Sequence, residues 1–218
     1  MINHYDVSAE YSFQLGAALA REYDKKVAKT IALAARTSAA LLPGHVGGSV
    51  LASGATVATD ATLLTTAFWL AAQKFDEKKV DQNDRYIALA PAQYYLMVRN
   101  GTAFISRDFL PEAGSNGTFK DGVLKTAAGL TICKTINLPA GNGAANVTDA
   151  LENNNYTADF TNLIALAWQK QVSGTLKRQD INLKVTEDNR RLGHLMVAKM
   201  AIGHGVLRPE CAVEIQNL

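Results

Sequence analysis

The stretch SAEYSFQLGAALAREYDKKVAKTIALAARTSAA, residues 8–40, decides how the rest of the chain is read. It holds no proline and a single glycine, Gly16. Asp6 or Ser8 can cap its start, and Glu10 complements the positive end of a helix dipole. Val7, Tyr11, Leu15, Leu19, Tyr23, Val27, Ile31 and Ala35 recur every four residues. A helix turns ~100° per residue, so each four-residue step overshoots a full turn by ~40° and the apolar stripe winds around the axis. A helix in a compact bundle keeps its stripe on one side. A winding stripe fits a long helix crossed by several partners in succession, and at ~1.5 Å per residue this one reaches ~50 Å. The expectation is a spine beneath an extended, plate-like molecule.

Outward from that helix, Pro43-Gly44 stops it, and 44–58 reads as a flexible loop of small residues. Asp60 or Thr59 can cap a second helix over 61–78. Its apolar face is Leu63, Leu64, Ala67, Phe68, Ala71, Ala72 and Phe75. Residues 85–90 read as a buried strand, and Pro91 opens a short helix over 92–99. The segment 102–122 is mixed and irregular. The β-branched run 129–138 reads as a strand stopped by Pro139, and 140–158 as an exposed, mobile polar loop. Residues 163–168, 172–176 and 181–185 read as three strands, the last alternating cleanly between apolar and polar. An apolar stretch over 195–202 leads to Gly203-His204-Gly205, read as a tight turn, and 212–215 form a last strand. Helix, strand, helix and then strands make an α+β pattern.

The bulk numbers narrow the function. The 218 residues suffice for a buried core, and 48% are hydrophobic. Twenty-two basic against 20 acidic residues leave a net charge of +2, which disfavours a dedicated nucleic-acid binder. No apolar run is long enough for a membrane helix, and Met1 to Asp6 lack a basic-then-apolar leader pattern. Cys133 and Cys211 stand far apart without a CxxC pair and read as small buried hydrophobes. His4, His45, His194 and His204 show no metal-ligand spacing, so no metal or cofactor is expected. Neither Gly203-His204-Gly205 nor 43–48 has phosphate-loop spacing, and no nucleophile elbow occurs, so no catalytic residue is assigned. The acidic neighbours Asp76-Glu77 and Glu187-Asp188 diverge on a helix or strand, which argues against a shared catalytic proton. Of the basic pairs, Arg190-Arg191 stands out, because a planar guanidinium fork suits carboxylates across a subunit contact.

Two stretches carry a specific resemblance. Asn3-His4-Tyr5-Asp6-Val7 with Glu10-Tyr11 and Gln14-Leu15-Gly16 resembles the opening of the spine helix in major capsid proteins of short-tailed lytic phages. Arg190-Arg191, Ala198-Lys199, Gly203-His204-Gly205 and Leu207-Arg208-Pro209-Glu210 resemble the C-terminal signature of the same family. Between them, Asp84-Arg85-Tyr86 to Pro91 and Gly129 to Leu138-Pro139 fit its core in the right order. The resemblance implies an α+β, HK-type capsid fold with a spine helix, a peripheral domain and an axial domain. Residues 1–42 and 177–218 would be peripheral and 43–176 mostly axial. It implies hexamers and pentamers of this chain in an icosahedral shell around double-stranded DNA. A scaffolding protein and a portal are the implied partners, with synthesis in the bacterial cytoplasm and a final place in the virion. It places His4, Tyr5, Arg190, Arg191, His204 and Arg208 at subunit contacts. Family members carry an N-terminal arm and extended loop upstream of the Asn-His-Tyr-Asp motif, so either this sequence is part of a longer chain, which is the favoured expectation, or the protein dispenses with that loop.

Two other readings compete. An encapsulin-type nanocompartment would share the fold and hold a cargo enzyme, and the phage-like end motifs argue against it. A small α/β enzyme would need converging polar groups in a pocket, which no motif supplies.

Overall fold

The structure, a computed structural model, describes residues 7–40, 42–100, 124–141, 156–188, 190 and 193–217. Helix α1 (Val7–Arg36) is followed by β1 (Ser49–Ala52), α2 (Ala61–Glu77), β2 (Arg85–Leu89) and α3 (Pro91–Asn100). Then come β3 (Thr126–Ala127), β4 (Leu130–Lys134), β5 (Leu163–Gln169), β6 (Ser173–Asp188), β7 (Gly193–Val206) and β8 (Ala212–Gln216). Short 3-10 turns at Lys170–Val172 and Pro209–Cys211 lead into β6 and β8.

Six strands form one sheet in the order β1-β8-β5-β2-β4-β3, with β1/β8 and β2/β4 parallel and the other pairs antiparallel. Opposed residues share a face, so register sorts the sheet. Ala88, Leu166 and Glu214 lie on the side that α1 covers, where Arg36 of α1 grips Glu214. Arg85 and Ile87 lie on the other side, where Arg85 reaches Asp76 of α2 and stacks over Phe75 at 5.3 Å. A sheet covered on both faces reads as continuous burial instead of alternation, and β2 and β8 are buried in this way. The core joins Ile31, Ala34 and Ala35 of α1, Leu64, Phe68 and Phe75 of α2, and Ile87, Leu130, Leu166 and Ile215 of the sheet.

The local signals behind these elements are plain. Asp60 caps α2, its carboxylate accepting from Thr62 N at 2.8 Å and Leu63 N at 3.5 Å. Ala128 and Gly129, with φ of 50° and 75°, make the two-residue turn between β3 and β4. At the end of α1, Arg36 forms a forked pair with Glu214, both contacts at 2.6 Å. Its Nη1 donates to the Asp159 carbonyl, and its guanidinium lies 4.9 Å over the Phe160 ring. Glu214 is fully buried, so the pair fixes where α1 meets the sheet.

Several expectations need correction. The first helix ends at Arg36, short of residue 40. Thr37 N turns back to Ala34 O, and Thr37 O accepts Gly48 N at 2.7 Å as the chain crosses beneath it. The loop expected over 44–58 contains β1, which pairs with β8 at the far end of the sequence. The separate strands expected at 172–176 and 181–185 are one 16-residue strand, β6. The polar run Lys177 to Asp180 looked like a break. It is absorbed by register shifts between Lys177 and Gln179 and between Gln179 and Asn182, where extra residues bulge without ending the strand. Gly203-His204-Gly205 is no turn. It lies extended inside β7, paired with Leu176, Thr175 and Gly174. The strand expected over 129–138 is limited to Leu130–Lys134. The irregular segment 102–122 and most of the loop 140–158 lie outside the described residues.

The crossing beneath α1 admits no side chain. A Cβ on Gly48 would stand 2.2 Å from Ala34 O, and one on Gly47 2.3 Å from Ser38 O. Gly203 and Gly205 have open space. Gly48→Ala is expected to destabilise the fold by about 3 kcal/mol or more, the upper range for overpacking, lowering the thermal midpoint by at least ~6 °C. Gly205→Ala should stay within ~2 °C of the parent. Equal thermal shifts in the two variants would contradict this account.

Candidate subunit-contact surface

Strands β6 and β7 form a hairpin paired from Ser173–Val206 to Asp188–Gly193. At ~3.3 Å per residue it extends ~50 Å. Period-2 alternation places Ile181, Leu183 and Val185 on one face, joined there by Met196 and Ala198 from opposed positions on β7. The other face carries Lys184 and Thr186 with Val197 and Leu195 opposite them. A two-stranded ribbon cannot bury two faces against itself and is marginal alone. Leu183 is 40% exposed, and Val185 and Leu195 are each 50% exposed. Beyond the hairpin, the first half of α1 is also uncovered, with Tyr11 and Phe13 both exposed. These large apolar side chains form far more than scattered exposure.

Helix α1 meets the hairpin near its base. The Tyr23 ring packs edge-on against His204 at 4.9 Å, and its hydroxyl lies 3.4 Å from Thr175 Oγ1. Thr175 Oγ1 is 2.9 Å from His204 Nδ1. Tyr156 clamps the backbone at the same residue, accepting from His204 N at 2.9 Å and donating to His204 O at 3.1 Å. Burial, and secondarily the positive charge of Lys26, push the His204 imidazole below its ordinary pKa, favouring the neutral ring at pH 7. His204 Nε2 is buried with no partner among the described residues.

The base of the hairpin, where β7 ends, is also tied down by Glu210, which is 2% exposed. Arg208 Nε donates to its Oε1 at 2.7 Å, and His45 Nδ1 lies 2.9 Å from the same oxygen. Arg208 Nη1 also donates to Gln171 Oε1 at 2.5 Å. Burial alone would raise the Glu210 pKa, but the Arg208 hydrogen bond, its own backbone N–H and the fields of Arg208 and His45 outweigh it and hold the carboxyl below its ordinary range.

Of the six residues expected at contacts, the structure describes three. His204 faces α1, and Arg208 is bonded within its own chain. Arg190 is exposed at the distal end of the hairpin. His4, Tyr5 and Arg191 lie outside the described residues. Sequence reasoning missed Tyr156 and Glu210. Tyr156 stood in a polar loop with no periodic signal, and Glu210 was quoted in a motif without a role. It assigned no contact role to Leu183 and Val185, although their alternation was visible.

Burial raises the thiol pKa of Cys133 and pushes Cys211 up to about 11, so both are protonated at neutral pH. Among the described residues, no three His, Cys, Asp or Glu side chains converge as a metal site, and no helix is long and apolar enough to cross a membrane.

A family model described as Gp10A-like major capsid protein matches residues 1–216. This chain belongs to that family. The major capsid protein of Enterobacteria phage T3 is 25% identical over 232 residues, covering 97% of this chain and 65% of the relative. That of Escherichia phage T7 is 25% identical over 227 residues, with the same shares covered. The chain thus spans somewhat under two thirds of the length of these relatives. Among solved structures, the capsid of cyanophage P-SCSP1u superposes with a TM-score of 0.85 at 38% identity, covering 99% of this chain and 67% of that one. The mature capsid of bacteriophage PhiM1 shares the fold, with a TM-score of 0.78 at 18% identity over 99% of this chain and 67% of that one. The α+β architecture of this Gp10A-like chain is therefore a phage-capsid fold.

A depressed carboxyl pKa stabilises the folded chain above the ordinary carboxylate range, and that stability is lost as pH falls through the lowered value. The thermal midpoint is therefore expected to drop in acid, and Glu210→Gln should be less stable than the parent at pH 7 yet lose less on acidification. Parallel acid profiles for the two proteins would rule out Glu210 as the tie.

Proposed function

We propose that this chain is the repeating tile of a tailed-phage head. Copies arranged as hexamers and pentamers close an icosahedral shell around double-stranded DNA. Assembly proceeds around a scaffolding protein, with a portal at one vertex, in the bacterial cytoplasm, and the product resides in the virion. The observation that carries this reading is the ~50 Å hairpin, with exposed apolar residues Leu183, Val185, Leu195 and Val197 along its distal half, in a chain of capsid fold and family. Surface of this kind is satisfied when neighbours cover it, and closed symmetry lets every copy be covered at once. Near-neutral net charge lets like subunits sit side by side without strong repulsion. The similarity to phage capsids favours this shell over an encapsulin compartment.

In this reading, residues 1–42 and 177–218 are peripheral and 43–176 mostly axial. His4, Tyr5, Arg190, Arg191, His204 and Arg208 belong to the contact regions. Arg190 and Arg191 would reach a neighbour directly. Arg208 keeps a third of its side chain exposed for the same purpose, while His204 sets the angle between α1 and the hairpin.

Leu183→Asp with Val185→Asp tests the reading. Burial of each parent side chain contributes on the order of 2 kcal/mol, a loss repeated at every contact. The double variant is expected to keep its circular dichroism spectrum and yield no shells by electron microscopy. Shells of normal number and heat resistance would overturn the proposal. Replacing Arg190 and Arg191 by Ala should lower shell heat resistance while leaving the dispersed subunit unchanged. Identical shell melting would remove the two arginines from the contact.

A further inference from the structure

The β6–β7 ribbon has two outer edges, and they are built differently. At the base, the Tyr156 hydroxyl donates to His204 O and accepts from His204 N, so those two groups point away from β6. Leu207 N, of opposite parity, points the other way and donates to Val172 O. Backbone groups alternate in direction along a strand of an antiparallel pair. His194, Met196, Ala198, Met200 and Ile202 therefore aim N–H and C=O outward, as His204 does. Tyr156 plugs the edge at His204, and among the described residues no backbone group pairs with it over 194–202. That open stretch is ~30 Å long.

Natural sheets blunt a free edge with charges, proline or bulges. Strand β6 has such devices. Both register shifts insert their extra residues on β6, and Lys177, Arg178, Asp180, Lys184, Glu187 and Asp188 lie along it. Strand β7 is different. It runs from Gly193 to Val206 without an inserted residue or a proline, and Lys199 is its one charged side chain besides two histidines. Leu195 and Val197 flank the open edge, 50% and 45% exposed. A flat, apolar, unprotected edge is a template for another strand.

We infer that the outer edge of β7 pairs with β7 of a second copy, antiparallel, about a two-fold axis at Ala198. The inference rests on the tile reading and adds how one hairpin meets its neighbour. A two-stranded ribbon is marginal alone, and this pairing makes one four-stranded sheet from two ribbons. With Ala198 opposite itself, position 196 faces 200 and 194 faces 202 of the second copy. The outward residues of the two strands then exchange about ten backbone hydrogen bonds, the number a standard-size interface carries. Leu195 comes opposite Ala201 of the second copy, and Val197 opposite the aliphatic stem of its Lys199. Like charges directly opposed destabilise a strand pair, and this register keeps the two Lys199 side chains out of opposition. A charged partner strand would find only Lys199 to meet, whereas a second copy matches the edge along its length.

The test places one new cysteine on either strand of the purified full chain. Opposed residues in a hydrogen-bonded pair have Cα atoms ~5.5 Å apart, inside the range a disulfide spans. Ala198→Cys, oxidised with glutathione disulfide both dispersed and in assembled particles, is expected to run mostly as a disulfide-linked dimer on a denaturing gel. Asn182→Cys, on β6, should dimerise no more than the parent, which reports the background from Cys133 and Cys211. Equal dimer yields from the two variants would overturn the proposal. Slow amide exchange over 194–202 without cross-linking would assign the edge to a different strand and overturn it equally. Electron microscopy of the same Ala198→Cys preparation separates the two readings. Shells that give no dimer refute the strand pairing alone, and dimers without shells refute the tile alone.

Discussion

The forked pair between Arg36 and Glu214 sets the geometry on which the rest depends. Glu214 is fully buried in β8, and Arg36 is the last residue of α1. A buried carboxylate needs a cation and its hydrogen bonds, and removing one partner of such a pair costs on the order of 3–5 kcal/mol. With Phe160 beneath the guanidinium and the Asp159 carbonyl at its edge, the helix end has one seat on the sheet. Gly47 and Gly48 then pass beneath that seat at distances that admit no Cβ. An anchored C-terminal end sends the other end of α1 outward, with its first turns uncovered.

The outward course of α1 explains why the hairpin extends as it does. Tyr23 meets His204 and Thr175 near the hairpin base, and Glu210, His45, Gln171 and Arg208 bind together the segments that flank β6 and β7. Beyond those ties the ribbon keeps Leu183, Val185, Leu195 and Val197 exposed. Folding within the chain thus fixes the base of the hairpin and leaves apolar side chains of its distal half exposed. In an isolated enzyme such exposure would be a liability. In a shell tile it would be a contact surface.

Much of this was legible in the sequence because it is local. Four-residue recurrence identified α1, the Asp60 cap and apolar spacing identified α2, and alternation over 181–185 marked a half-exposed strand. Less legible were features made by distant partners. The strand β1 hides among small residues because its partner β8 lies more than 160 positions away. Continuity of β6 through Lys177-Arg178-Gln179-Asp180 depends on bulges, which composition does not announce. Gly203 and Gly205 suggested a turn, yet their backbone is extended and pairs along β6. Glu210 gains its role only when His45 and Arg208 converge on it. The end motifs led to the correct family because they are specific, while the packing of His204 against Tyr23 of α1 is made by distant residues and is not written in the motif.

Hydrogen exchange of the backbone amides in 173–206, compared between dispersed subunits and assembled particles of the full chain, tests the central claim most directly. Covering of the hairpin by neighbouring copies predicts slow exchange along both strands in particles and fast exchange at the distal half in dispersed subunits, with core strands such as β2 slow in both. Equal exchange of the hairpin in the two states would contradict the claim that it is completed by association.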